Sequence, residues 1–199
     1  MSKPSLNAQT NQYFLSWALY ALIFFGLSAC HFSQAKQTET YRGLPYHAPT
    51  TQTPPQGVKR ISADDLAGLL SSENKPVLID VYGAIFREES LDFDGAWLVS
   101  SSRKNIPGSV WLPNVGKQEL KPVVEQYFRD QLTQLTHENK SKVLVIYCIE
   151  DCWMAWNAAK RSNEWGYTNV LWFREGVDGW NDNNWQLQDS EPVNLPINE

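Results

Sequence analysis

The sequence predicts an α/β domain with a mainly parallel central sheet covered by helices on both faces. Two observations lead there. Three short, largely apolar runs, at residues 77–81, 143–147 and 169–173, have the composition of strands buried on both sides. Segments with helical spacing of apolar residues separate them, and alternation of strand and helix is the signature of a parallel sheet.

Taken in order, Ser62 followed by Ala63-Asp64-Asp65-Leu66 reads as a helix N-cap with acidic residues in the first turn, suited to the positive end of the helix dipole. That helix runs to about Ser71, and the strand Val77-Leu78-Ile79-Asp80-Val81 follows. Residues 82–105 are expected to be irregular, before Ile106-Pro107-Gly108-Ser109 turns into Val110-Trp111-Leu112. Leu120, Val123, Val124, Tyr127, Phe128, Leu132 and Leu135 share one helical face, predicting a helix of roughly five turns. The strand at 143–147 leads into a helix from about Cys152 to Trp165, whose Ala155, Ala158 and Ala159 permit close approach to the sheet. After the strand at 169–173, a final turn or short helix begins at Gly176.

Composition narrows the function. The chain has 199 residues, a net charge of −5 and 42% hydrophobic residues. Such a chain has no basic field for a phosphate backbone, so nucleic acid is not an expected partner. Three cysteines are too few for a disulfide-stapled scaffold, and the apolar content is too high for a disordered chain. No phosphate-binding glycine loop, Ser/His/Asp set or paired-carboxylate motif stands out.

The N-terminus is a separate region. Between Lys3 and Lys36 there is no Asp, Glu, Lys or Arg, and residues 13–29 are almost wholly apolar. This stretch is shorter than the roughly 20 residues of a spanning helix and ends in small residues, as cleaved export signals do. Leu27-Ser28-Ala29-Cys30 resembles the lipobox of bacterial lipoproteins. The resemblance implies lipidation at Cys30 and removal of residues 1–29; the alternative is an uncleaved anchor. Both tether the chain to a membrane on the periplasmic side, and His31, in place of Asp, favours the outer membrane. Residues 30–58, rich in Pro, Thr and Gln, read as an extended tether, with Tyr41 and Tyr46 either packed on the domain or exposed. The globular domain is expected at 59–187 and a C-terminal tail at 188–199.

In open α/β sheets, ligands bind beyond the carboxyl ends of the strands. Cys148 stands there, and Cys152 follows at the expected start of the next helix, in Cys148-Ile149-Glu150-Asp151-Cys152-Trp153-Met154. A thiolate near a helix N-terminus is stabilised by free amides and the dipole. Glu150 and Asp151 act the other way, and Asp151 is itself a candidate cap for those amides.

The arrangement resembles the rhodanese-like domain, in which a strand ends in the active-site cysteine and a short amide-lined loop leads into a helix. Leu78-Ile79-Asp80-Val81, Ile106-Pro107-Gly108-Ser109, Gly166-Tyr167-Thr168-Asn169-Val170 and Gly176-Val177-Asp178-Gly179-Trp180 match further family segments in the family's order. More narrowly, Cys148 through Trp153 resembles the rhodanese-like proteins named for a Cys/Cys-Trp (CXXCW) motif and associated with PQQ-dependent catabolism, although three residues rather than two separate the cysteines here. That resemblance implies a periplasmic accessory protein of quinoprotein alcohol oxidation, whose partners are a redox protein or a quinoprotein dehydrogenase or transport system.

The loop departs from active sulfurtransferases, which often carry Gly and Arg there to receive an anionic sulfur donor. Tyr82 stands where many relatives place an Arg, with Arg87 as a substitute and Asp80 as a supporting group. An acidic, Arg-poor loop disfavours thiosulfate. Three readings stay open: a dithiol/disulfide pair in which Cys148 attacks and Cys152 resolves, a structural staple, and binding of a metal or cofactor. For the last, two cysteines and Met154 suit Cu(I), while Trp153, Trp156 and Trp172 suggest stacking against PQQ. His31, His47 and His137 all lie far from the loop in sequence, so no closed zinc site is expected. Glu88, Glu89, Asp92 and Asp94 form an acidic patch at a pocket rim or on plain surface.

Overall fold

The computed structural model describes residues 39–87, 97–99 and 101–195. Cys30 and the apolar segment expected to be its export signal, His31, and the acidic residues Glu88, Glu89, Asp92 and Asp94 lie outside the described residues. Among the described residues, no helix is long and apolar enough to cross a membrane.

Five parallel strands form the central sheet: β1 (Lys59–Ile61), β2 (Val77–Asp80), β6 (Val110–Trp111), β7 (Leu144–Tyr147) and β8 (Val170–Phe173). Their spatial order is β1-β8-β7-β2-β6, which puts β7 in the middle. Side chains alternate along each strand, so each feeds two cores. Leu144, Ile146, Val170, Trp172 and Ile79 pack on one side, with Tyr127 and Phe128 of α2 (Pro122–Thr136) and Ala155, Ala158 and Ala159 of α3 (Trp153–Glu164). Val145, Tyr147, Phe173 and Leu78 pack on the other, with Leu66 of α1 (Ala63–Ser71) and Val177 and Trp180 of α4 (Gly176–Asp182). The expected doubly covered sheet is present.

Local chemistry sets the element ends. Ser62 and Asp65 close a reciprocal capping box at the start of α1. The helix α2 starts at Pro122, two residues later than the apolar spacing from Leu120 suggests, because proline suits the first helical turn, where its missing N–H is not needed. It has 15 residues, and His137 ends it in the left-handed conformation.

The stretch 82–105, expected to be irregular, contains three short strands: β3 (Ile85–Phe86), β4 (Trp97–Leu98) and β5 (Arg103–Asn105). The first two pair antiparallel with each other. The third pairs antiparallel with β9 (Gln188–Ser190). Two- and three-residue ribbons carry no periodicity, and Gln188-Asp189-Ser190 has no apolar residue to mark it as a strand. The chain beyond β9 is held as well: the Val193 carbonyl accepts from Tyr127 Oη (2.7 Å) and Trp97 Nε1 (3.0 Å). At the other end, residues 39–58 pack against α3, with the Asn157 side chain bonding Arg42 through both its amide nitrogen (2.8 Å) and its oxygen (2.9 Å). The phenol of Tyr46 meets the Gln118 amide at 3.0 Å.

Two glycines contrast a tight helix contact with an open one. A Cβ on Gly116 would stand 2.0 Å from the Met154 carbonyl oxygen, whereas one on Gly68 would meet nothing within 4 Å. Gly116→Ala is therefore expected to destabilise the fold by about 1–3 kcal/mol, and Gly68→Ala to stabilise α1 by roughly 0.5–1 kcal/mol. Urea unfolding of the two variants beside the wild type checks both signs.

Candidate functional site

The carboxyl end of β7, the middle strand, delivers Cys148 into a fully buried position, and the loop returns Cys152 to the residue before α3. The two sulfurs lie 2.7 Å apart as free thiols. That is inside ordinary sulfur contact and longer than the ~2.05 Å of a disulfide bond.

The loop itself is held from outside. Asp151 adopts a positive φ of 52°. Its carbonyl accepts from Ala48 N (2.9 Å), and its carboxylate accepts from both Thr50 N and Thr50 Oγ1 at 2.9 Å. Asp151 is thus not the cap of α3 that its position suggested. The first amide of that helix, Trp153 N, donates to the Tyr46 carbonyl instead (2.8 Å). On the opposite side, Glu150 N donates to Asp178 Oδ2 (2.8 Å), and Val177 N donates to the Cys148 carbonyl (3.0 Å). Gly176 makes that last approach feasible: its φ is +58°, and a Cβ there would stand 2.4 Å from the Cys148 oxygen.

The charges also differ from the expectation of an Arg-poor loop. Arg174, mostly buried, bonds Asp151 through Nη2 and reaches Glu150 through Nη1 at 3.3 Å. Both loop carboxylates therefore have a counter-charge that sits beyond the following helix in sequence. The Thr50 amide, with its hydroxyl and Arg174, holds the Asp151 carboxyl below its ordinary value. At the second supporting position, buried Asp80 accepts from Tyr82 N (2.9 Å) and from Arg103 Nε (2.5 Å). Burial pushes the Asp80 carboxyl up, while Arg103 and the Tyr82 amide pull it back. The cation that serves Asp80 is thus Arg103, with Arg87 just past β3. The Arg103 guanidinium lies 4.0 Å over the Tyr82 ring, so the tyrosine at the family's arginine position carries an arginine on its face. Its Nη2 is buried without a hydrogen-bond partner.

The two thiols are unequal. Burial, the Cys152 sulfur and Asp80 all push Cys148 up. Cys152 is pushed down, first by the hydrogen bond from Cys148 and then by the amides of Met154 and Ala155 at the start of α3. Neither amide makes a formal side-chain cap bond; their effect is that of the helix terminus as a whole. The surroundings therefore favour the proton on Cys148 and the negative charge on Cys152.

The remaining loop residues are structural in contact. Ile149 packs between both cores, and Met154 is buried in the core shared with α2. The tryptophans considered for PQQ stacking are taken up by packing. Trp156 and Trp172 are buried, and Trp153 sits edge-on to Trp156 with the Arg42 guanidinium 4.9 Å from its ring centroid. Among the described residues, these three tryptophans form no pair open to a flat quinone. His47, remote in sequence, is brought onto the loop by an antiparallel bridge with Cys152 and stacks on Tyr82 at 5.3 Å. Sequence separation alone hid it.

Residues 62–183 match the family described as the Rhodanese-like domain. The chain belongs to this family. Among solved structures, it is similar to a thiosulfate sulfurtransferase from Pseudomonas aeruginosa, with 17% identity and a TM-score of 0.47, over 71% of this chain and 22% of that one. It is also similar to the polysulfide-sulfur transferase homodimer from Wolinella succinogenes, with 17% identity and a TM-score of 0.43, over 67% of this chain and 80% of that one. This chain thus spans about a fifth of the first structure's length. No curated protein matches it. The rhodanese-like domain here keeps the family's strand, loop and helix, with a second cysteine at the helix start.

The buried pair and the exposed pair around the loop are expected to differ in cost. Asp80→Ala leaves the largely buried Arg103 unpaired and is expected to destabilise by about 3–5 kcal/mol. Glu150→Ala, at a half-exposed position, is expected to cost no more than about 1 kcal/mol. Denaturant unfolding at neutral pH measures both.

Proposed function

We propose that the chain is a thiol-redox protein in which Cys148 and Cys152 pass between dithiol and local disulfide by exchange with a partner. The observation that carries this reading is the 2.7 Å separation of the two sulfurs. In the exchange, the Cys152 thiolate attacks one sulfur of the partner's disulfide, forming a mixed disulfide and releasing the other partner sulfur as a thiolate. Cys148 then gives up its proton and attacks the Cys152 sulfur. The Cys148–Cys152 bond forms, the second partner thiolate leaves, and two electrons have passed to the partner. Oxidation of a partner dithiol is the reverse. A negatively polarised Cys152 and a protonated Cys148 suit attacking and resolving roles in that order.

The setting in this proposal comes from the sequence. The lipobox-like Leu27-Ser28-Ala29-Cys30 supports a lipid anchor on the periplasmic side of a bacterial membrane, the outer one favoured by His31. The periplasm is oxidising, which makes a dithiol/disulfide pair useful there. The likeness of Cys148 through Trp153 to the CXXCW proteins supports a place beside PQQ-dependent alcohol oxidation, as an accessory to a quinoprotein dehydrogenase or transport system.

A second reading, sulfur transfer, is favoured by the partnerless Nη2 of Arg103 near Cys148. There the Cys148 thiolate takes the outer sulfur of thiosulfate, releasing sulfite and leaving a persulfide. The Cys152 sulfur stands against this, because it occupies the space beside Cys148 that the added sulfur needs.

Differential alkylation and activity assays separate the two. Protein prepared without reductant is expected to expose neither thiol to alkylation, and both after reduction. In the reduced state, the alkylation rate of Cys152 is expected to level off below the ordinary thiol pKa of about 8.5, with Cys148 reacting only at more alkaline pH. Thiosulfate–cyanide activity that persists in Cys152→Ser and disappears in Cys148→Ser would replace the redox reading with sulfur transfer.

A further inference from the structure

His47, Cys148 and Cys152 place three ligand atoms within 4.8 Å of one another. We propose that this trio is a three-coordinate copper(I) site in which His47 completes the pair of cysteines. The proposal uses the reduced cysteines of the redox reading but stands on His47, which that reading does not require.

The convergence is built by backbone and not by chance side-chain reach. Residues 46–50 cross the start of α3 with three fixed contacts: the Tyr46 carbonyl on Trp153 N, the His47–Cys152 bridge, and Ala48 N on the Asp151 carbonyl. These hold the His47 Cα beside Cys152. The ring is then set by its stack on Tyr82, with 21° between the planes.

The donor set selects the metal. Two thiolates and an imidazole are soft to borderline ligands, suited to Cu(I) and zinc. Zinc in structural sites takes four ligands, and no fourth His, Cys, Asp or Glu joins this group among the described residues. Asp80 is nearby in charge but is committed to Arg103 and the Tyr82 amide. Copper(I) accepts three. Bonds of about 2.0–2.3 Å place trigonal ligand atoms roughly 3.5–4 Å apart, within the observed envelope once the two sulfurs part from 2.7 Å. Binding leaves the oxidation state of copper unchanged: Cu(I) takes the place of the proton on Cys148, which goes to solvent, and the new ligand bonds run to both sulfurs and one ring nitrogen. The site carries one net negative charge, beside the Arg103 guanidinium. Both sulfurs are buried while His47 is exposed, so the ion enters from the His47 side. A Cys148–Cys152 disulfide has no thiolate to offer, so copper and the disulfide exclude each other.

The test uses the full-length protein, reduced under anaerobic conditions and titrated with Cu(I) against a chromogenic Cu(I) chelator. One copper per chain is expected, with two sulfurs and one nitrogen seen by X-ray absorption. His47→Ala is expected to weaken the Cu(I) affinity by about tenfold or more and to lose the nitrogen, with its circular dichroism and its yield of alkylatable thiols unchanged. His47→Cys, which restores a soft ligand, is expected to recover the affinity. Copper uptake by wild type no stronger than by the Cys148→Ser/Cys152→Ser double variant overturns the proposal. So does a His47→Ala affinity equal to wild type. Protein that forms the disulfide but takes up no copper defeats this proposal alone, and protein that takes up copper but never forms the disulfide defeats the redox reading alone.

Discussion

The structure depends on one constraint: a five-residue stretch from Cys148 to Cys152 must turn the chain from the middle strand of the sheet into α3 while keeping two sulfurs in contact. So short a loop has few internal partners for its polar groups, and buried polar groups without partners are costly. Each is therefore met from elsewhere in the chain. Residues 46–50 take the Asp151 side and the first amide of α3. The α4 region takes the Glu150 amide through Asp178 and the Cys148 carbonyl through Val177. Arg174 answers both carboxylates. The loop is thus a clamped object, and within it the two sulfurs are polarised, Cys148 pushed up and Cys152 pushed down.

That polarity follows from position. Cys148 ends a strand buried on both faces and has Asp80 as a neighbour, so ionisation there is opposed by desolvation and by like charge. Cys152 stands four residues on, immediately before α3, where the hydrogen bond from Cys148 and the amides of Met154 and Ala155 push it down. The fold that presents Cys148 at the strand end here adds a second cysteine at the start of α3.

The central sheet was legible in the sequence because its strands are covered on both sides. Val77-Leu78-Ile79 and Leu144-Val145-Ile146 have to be apolar on consecutive residues, and that pattern stands out from any helix. The edge strand Lys59-Arg60-Ile61 and the ribbon strand Gln188-Asp189-Ser190 were not legible, because exposed edges place no such demand on their side chains. The site divides in the same way. Cys148 and Cys152 are neighbours in the chain, and the loop could be read directly. His47, Arg103 and Arg174 reach it only through tertiary packing: one across the start of α3, one from the strand paired with β9, one from the end of β8. Arg103 has a partial signal, since the Asp80 at the end of a buried strand requires a cation from somewhere. Nothing local marks which arginine supplies it. Likewise, the Pro/Thr/Gln composition of residues 46–58 speaks for a tether, and only the unsatisfied amides of α3 give a reason for it to settle on the domain.

On the proposed reading, the clamped loop makes Cys148 and Cys152 a single reversible redox unit. Equilibrating the full-length protein in a series of glutathione redox buffers, trapping with an alkylating agent and counting modified thiols by intact mass tests it most directly. One two-electron transition is expected, with both thiols appearing together as the buffer becomes more reducing, and its loss when either cysteine is replaced by serine. Two thiols alkylated in every buffer, or two that appear in separate steps as mixed disulfides with glutathione, would contradict it.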